Sequence, residues 1–163
     1  MFKKMLFAAL LTVTSIVYAQ SSMVPTTPHG VDRSLSALTQ DQQMQIRDQV
    51  ETLAQDSLRI VQAIDHGQLG MVWDKASSVA KMFKRADFVR KIYIDRSKLG
   101  APSFRKQVAI TFSQSKGGEV PAGLYISVDY STQFARENKP VRELVSYHLD
   151  NDKVWRVSGY SVR

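Results

Sequence analysis

The hydrophobic pattern of the chain changes its period at Gly100-Ala101-Pro102, and this change decides the fold class. Before this point, apolar residues recur at steps of three and four, the period of a helix that is buried on one side. After it, apolar and polar residues alternate one by one, the period of a half-buried strand. The sequence therefore predicts an α+β fold, with N-terminal helices packed on an antiparallel sheet.

Three helices are predicted before the change of period. The first follows Thr39, which stands three residues before Gln42 in the spacing of a capping box, and ends at Gly67. The second covers residues 69–82. The third runs from Asp87, as its N-cap, to Lys98, where the Gly-Ala-Pro sequence stops it.

Four strands are predicted after Pro102, joined in chain order by short turns. They cover the alternating segments 107–112, 124–134, 141–149 and 154–162. Gly159 interrupts the alternation of the last strand, so we expect a β-bulge there. Residues 39–163 are thus predicted to form a single α+β domain with a four-stranded antiparallel sheet.

The first 19 residues have the features of a secretory signal peptide. Two lysines are followed by an uncharged run from Met5 to Val17, which at 13 residues is shorter than the about 20 that a spanning helix needs. We expect cleavage after Ala19 and a periplasmic or secreted protein. Residues 20–38 are rich in Ser, Thr and Pro, and we expect them to form a flexible tether.

Composition excludes several chemistries. The chain has no cysteine, which rules out disulfides, a lipid anchor on an N-terminal Cys, thiol nucleophiles and thiolate metal sites. Its three histidines, His29, His66 and His148, lack the spacing of metal ligands, so no metal or other cofactor is expected. The formal charge of +7 suits an acidic partner, whereas export disfavours nucleic acid and leaves at most peripheral contact with a membrane.

Several short motifs in the second half of the chain occur together in a fixed order. They are Arg96-x-x-Leu99-Gly100, Arg105, Pro121-x-Gly123-x-Tyr125-x-x-Val128-x-Tyr130, Glu143 and Trp155-Arg156-Val157-x-Gly159-Tyr160. Over roughly residues 50–163 this pattern resembles the exported bacterial family known as domain of unknown function 4019, except that Phe88 stands where that pattern usually has Trp. The resemblance implies a cystatin-like fold related to nuclear transport factor 2 domains, with a curved sheet wrapped on a long helix. It implies no activity.

Five polar residues of the predicted sheet are candidates for a pocket between the sheet and the helices: Tyr125, Asp129, Glu143, Tyr147 and His148. Glu143 has the strand register of Val145 and Tyr147, so its carboxyl group can point toward an apolar face and act there as an acid or base. The alternative is a structural ion pair between Glu143 and Arg105 or Arg156 on a neighbouring strand, and the sequence favours it.

Five basic residues lie around the predicted break between the second and third helices, and we call them the basic junction: Lys81, Lys84, Arg85, Arg90 and Lys91. Such a group can receive an acidic protein or phospholipid headgroups. More often such a group is a solvated helix junction with no partner, and the sequence favours that interpretation.

Two functions of different classes follow from these observations. The first, which the sequence favours, is a non-catalytic protein-binding module of the cell envelope, of inhibitor or immunity type among the possibilities. It would bind through the sheet surface, an edge strand or the basic junction. The alternative is a small-ligand pocket protein or a weak acid–base enzyme built around Glu143 and Tyr125. The sequence leaves the oligomeric state open.

Overall fold

The computed structural model describes residues 39–163, and the predicted signal peptide and tether lie outside them. The helices come first: α1 is Gln40–Asp65, α2 is Leu69–Asp74 and α3 is Arg85–Ser97, with a short 3-10 helix, Ala80–Met82, between α2 and α3. Within the described residues, no helix has both the length and the apolar content to cross a membrane.

The four strands follow the helices and form one antiparallel sheet. They are β1 (Pro102–Ser115), β2 (Gly123–Phe134), β3 (Val141–Leu149) and β4 (Trp155–Val162). Their order in the sheet is β1-β2-β3-β4, so each strand pairs with its neighbour in sequence. The α+β class, with helices before a four-stranded antiparallel sheet, is confirmed.

The helices cover one face of the sheet, which we call the inner face. Ile110 pairs with Val128, Val128 with Val145, and Val145 with Tyr160, so these four side chains share that face. All four belong to the hydrophobic core, together with residues of α1, α2 and α3 such as Val61. Each fully buried side chain of this kind stabilises the fold by about 1.5–3 kcal/mol relative to an exposed one.

Helix α1 ends at a glycine, as predicted. Gly67 has φ 72°. Its N–H bonds to the carbonyl of Ile64 at 3.0 Å, and the N–H of Gln68 bonds to the carbonyl of Ala63 at 2.8 Å. This is the Schellman pair of hydrogen bonds, which satisfies the last carbonyl groups of the helix and turns the chain into α2.

The predicted second helix over residues 69–82 is wrong, because the helix stops at Asp74. The backbone N–H of Ser77 bonds to the carbonyl of Val157 at 2.8 Å, and the backbone N–H of Ser78 bonds to the carboxylate of Asp150 at 3.2 Å. These contacts with β4 and with the turn before it take up polar groups that a continued helix would use internally. They override the helical periodicity of the segment.

Two other boundaries differ from the predictions, and the predicted bulge is confirmed. Helix α3 starts at Arg85 instead of Asp87, so Asp87 lies in its first turn, where a carboxylate still favours the helix dipole. Strand β1 starts at Pro102, before the clear alternation begins. In β4 the register shifts between the pairs Ser146–Gly159 and Tyr147–Val157, which places the bulge next to Gly159.

We predict that Gly67→Ala lowers the free energy of unfolding by about 1–2 kcal/mol, because a Cβ disfavours the left-handed backbone conformation. Steric contact does not contribute, since in the described part of the chain no atom beyond its sequence neighbours lies within 4 Å of the position that a Cβ would take at Gly67. Gly159→Ala is the matched control: it is equally unobstructed and has no positive φ. Urea unfolding measures both, and equal losses in the two variants would contradict the explanation.

Candidate functional site

Four charged side chains from four elements meet on the inner face, and we call them the charge network. They are Asp65 at the end of α1, Arg96 in α3, Arg105 in β1 and Glu143 in β3. Arg105 binds Asp65 through Nη1 at 2.8 Å and Nη2 at 3.1 Å, and it binds Glu143 through Nε at 2.6 Å and Nη2 at 3.2 Å. Arg96 adds a bond from Nη2 to Asp65 Oδ1 at 2.6 Å. One guanidinium thus bridges two carboxylates, the geometry for which arginine is suited.

Neutral hydroxyl groups complete the surroundings of Glu143. Its side chain is 0% exposed. The hydroxyl of Thr132 donates to Oε2, and that of Tyr160 donates to Oε1 at 2.6 Å. Burial and the negative charge of Glu143 raise the pKa of Tyr160, so its hydroxyl remains a donor at neutral pH.

Arg105 stays charged within this network. Burial lowers its pKa, but the hydrogen bonds and charges of Asp65 and Glu143 outweigh burial and raise the pKa above its already high ordinary value. The structural pair of Glu143 with Arg105 is therefore the arrangement that the structure contains. The other predicted partner, Arg156, instead contacts Asp150 at 3.2 Å and Asp152 at 2.7 Å.

The sheet divides the five predicted pocket residues between its two faces. Glu143 is opposite Tyr130, and Tyr147 is opposite Ile126, so both are on the inner face. Tyr147 donates to Asp56 of α1 at 3.1 Å, and burial raises its pKa.

The remaining three candidates lie on the other, outer face, because strand residues alternate between faces. Tyr125 is paired with His148, and their rings are 5.0 Å apart. Asp129 forms an ion pair with Arg142. The five candidates therefore do not line one pocket.

His148 belongs to a polar cluster that was not predicted from the sequence. Its Nδ1 is 2.9 Å from the Oδ1 of Asp150, which also accepts the Ser78 hydroxyl. Burial raises the pKa of Asp150, but hydrogen bonds from His148, Ser78 and Arg156 lower it more, so the net pKa is below the ordinary value. A Cβ at Gly123 would lie 2.4 Å from Nε2 of His148, which explains why glycine occupies this position in the Gly-x-Tyr motif.

The basic junction is exposed, and most of its cations have local partners. Arg85 lies 3.4 Å from Asp74, Arg90 lies 2.9 Å from Asp87, and Lys91 lies 2.5 Å from Asp95. Lys81 donates to the backbone carbonyl of Asp74 at 3.1 Å. Exposed pairs of this kind add little stability, so the cations remain available to a ligand of opposite charge.

Two clefts lie beside α3. The first, of about 330 Å³, is near the end of α1, and its lining includes Asp65, Tyr93 and Arg96. The second, of about 260 Å³, separates α3 from β4, and its lining includes Phe83, Phe88, Lys91 and Tyr160. Glu143 lines neither of them. Among residues 39–163, no three side chains of His, Asp and Glu are grouped as metal ligands.

The two edge strands of the sheet, β1 and β4, have different surroundings. The edge of β4 is partly covered, because Ser77 bonds to Val157 and both the 3-10 helix and α3 contact the strand. From Ala109 to Ser115, β1 pairs with β2 without a register shift, and its other edge has no backbone partner among the described residues. Phe104 and Val108 of β1 are 61% and 55% exposed.

These features define a small α+β domain whose buried charges bind one another and whose surface, in the described part of the chain, carries an open strand edge on β1 and the basic junction. The chain belongs to the family described as "Protein of unknown function (DUF4019)", which matches residues 56–160. This confirms the resemblance drawn from the sequence motifs. Neither a curated protein nor a solved structure matches the chain, and the cystatin-like form of the fold stays a prediction.

We predict that Glu143→Gln lowers the free energy of unfolding by about 3–5 kcal/mol, because it leaves two buried arginines, Arg96 and Arg105, with Asp65 as the one remaining carboxylate of the charge network. Arg105→Met should cost a similar amount. The double variant leaves neither Arg105 nor Glu143 alone, so its loss should be smaller than the sum by at least about 1 kcal/mol. Urea unfolding at neutral pH measures the cycle, and additive losses would contradict a coupled network.

Asp150 gives a prediction for acid unfolding. Because its pKa is lowered in the folded state, its charge stabilises the fold above the ordinary value of 3.8, and this stability is lost as pH falls through the lower, folded-state pKa. Asp150→Asn should therefore be less stable than wild type at neutral pH, and the difference should shrink below that value. Glu119→Gln, in the exposed β1–β2 turn, is the control. A difference that does not vary with pH would contradict the assignment.

Proposed function

We propose that the protein is a non-catalytic protein-binding module of the cell envelope, and that it binds an extended segment of a partner as a new strand on the open edge of β1. The observation that carries this proposal is the regular, unpaired edge of Ala109–Ser115. The open edge of an edge strand presents backbone N–H and C=O groups at alternate residues, and these bind an extended chain through main-chain hydrogen bonds.

The two halves of β1 differ in the features that hinder an open strand edge from pairing with another chain. The first half has Pro102, Lys106 and two register shifts, all of which discourage pairing with another chain. The segment from Ala109 to Ser115 has no charged residue, no proline and no register shift. A seven-residue segment is long enough for a typical strand. The contrast favours this segment as the binding edge.

The alternative, a pocket around Glu143 and Tyr125, has weak support in the geometry. These residues are on opposite faces of the sheet, and the carboxylate of Glu143 is bound by Arg105. A ligand would have to replace those contacts in the core. The hydroxyl of Tyr125 donates to the carbonyl of Pro121 at 2.8 Å.

The predicted export of the chain adds a cellular location to the proposal. The predicted signal peptide directs the domain to the periplasm or the medium after cleavage at Ala19. Partners there include envelope proteins and secreted toxins, and an inhibitor or immunity protein would hold such a partner by an exposed segment. The mass of the N-terminal peptide of the purified protein tests the export step, since cleavage at this site leaves Gln20 as the first residue.

We predict that one proline substitution in β1 abolishes partner binding without unfolding the domain. Thr111 and Gln114 are both exposed and differ in strand parity, so one N–H points outward and the other toward β2. Hydrogen exchange identifies the outward N–H as the faster one. Proline at that position should reduce crosslinked partner recovered from cells expressing the full chain by about tenfold or more, because it removes a ladder donor.

The matched controls are Thr111→Ala and Gln114→Ala, which change the side chain and keep the N–H group. Proline at the inward position should instead destabilise the sheet, which thermal unfolding measures. If the outward proline variant is folded and recovers the same partner in the same amount, strand addition at β1 is wrong. Crosslinking to a second copy of the chain would identify self-association in place of a different partner.

A further inference from the structure

The loop that leads into α3 combines exposed apolar side chains with cations. Met82 is 73% exposed, the highest value among the exposed large apolar residues of the described chain, and its neighbour Phe83 is 50% exposed. Lys81 precedes them, and Lys84 and Arg85 follow. The five consecutive residues, Lys81–Arg85, are here called the apolar-basic loop.

The backbone holds this loop in place at both ends. The N–H of Phe83 bonds to the carbonyl of Ala80 at 3.1 Å, and the N–H of Phe88 bonds to the carbonyl of Lys84 at 3.1 Å. Phe83 and Lys84 have extended backbone angles between these helical turns. The exposed position of Met82 is therefore built into the connection between two helical elements.

The charges around the loop are predominantly positive. Arg85 forms an ion pair with Asp74 at 3.4 Å. Lys84 has no carboxylate at ion-pair distance in the part of the chain that the structure describes. Arg90 and Lys91 continue the basic junction along α3. An anionic surface would thus meet cations on both sides of the apolar pair.

We infer that the apolar-basic loop binds the surface of a bilayer that contains anionic phospholipid. Met82 and Phe83 would enter the boundary between headgroups and acyl chains, while the ammonium and guanidinium groups contact lipid phosphates. Charge complementarity together with the exposed apolar pair favours this occupant over an acidic protein, and Met82 suits a fluid surface because its unbranched side chain adapts its shape. The carboxylates of Asp74, Asp87 and Asp95 weaken the attraction, so the contact is peripheral and reversible. It does not depend on strand addition at β1.

The test measures the fraction of the protein that binds to lipid vesicles. The protein is purified from cells that express the full chain. The vesicles are phosphatidylcholine alone, or phosphatidylcholine with about 30% phosphatidylglycerol, at about 0.1 M salt. Lys81→Glu with Lys84→Glu should reduce partition into the anionic vesicles by about tenfold or more. Met82→Ser should also reduce partition into the anionic vesicles. Because Met82 is exposed, this substitution is not expected to disturb the fold. Partition into phosphatidylcholine alone should be weak for every variant.

Matched controls separate the loop from general charge and hydrophobicity. Lys116→Glu with Lys139→Glu makes the same change in net charge at exposed positions outside the loop, and Val120→Ser removes another exposed apolar residue. Each control should change partition by less than about twofold. All variants retain the same N-terminus, so a difference between them reports on the substituted position.

Three outcomes would overturn the inference. The first is a failure of the wild-type protein to bind the anionic vesicles, and the second is an equal loss in the control and loop variants. The third is unchanged vesicle partition in loop variants that lose a crosslinked acidic protein, which would assign the loop to a protein partner. Partner capture through the β1 edge should be the same in Met82→Ser and in wild type, so failure of either proposal is distinguishable from failure of the other.

Discussion

The guanidinium group of Arg105 is the contact on which the rest of the structure depends. It binds the last residue of α1, Asp65, and the buried Glu143 of β3, so it connects a helix and two strands at one point. Removing such charges from water costs several kcal/mol per ion, and the cost is offset only when every partner is in place. The network therefore penalises misplaced elements: a one-residue slip of β1 would move Arg105 to the outer face and leave Glu143 uncompensated.

The same network explains why Glu143, the predicted candidate for an acid or base, has a structural role. A buried carboxylate among apolar strand residues is a reasonable candidate for an acid or base. Here Glu143 is hydrogen bonded to Arg105, Thr132 and Tyr160. Catalysis needs a group that can reach a substrate, whereas every contact of this carboxylate is already made within the fold. The proposed functions consequently use the surface, where backbone edges and exposed side chains are available.

The sequence predicts those features that depend on local pattern, and it misses those that depend on distant contacts. The end of α1 at Gly67 and the bulge near Gly159 follow from local backbone chemistry. The pair of Glu143 with Arg105 was one of two predicted alternatives, because strand register limits the partners. Asp65 was not predicted, since it lies 40 residues from Arg105 and neither local sequence marks the contact. The early end of α2 likewise depends on Asp150, which is 72 residues from Ser78.

The two proposed surfaces are at opposite edges of the sheet, and this arrangement lets both act at once. The 3-10 helix next to the apolar-basic loop contacts β4, whereas the proposed partner strand would join β1. Four strands at about 4.8 Å spacing separate these edges by about 14 Å of sheet. Lipid bound at the loop would therefore not need to cover the β1 edge. An extended segment could then pair with that edge without displacing the lipid contact.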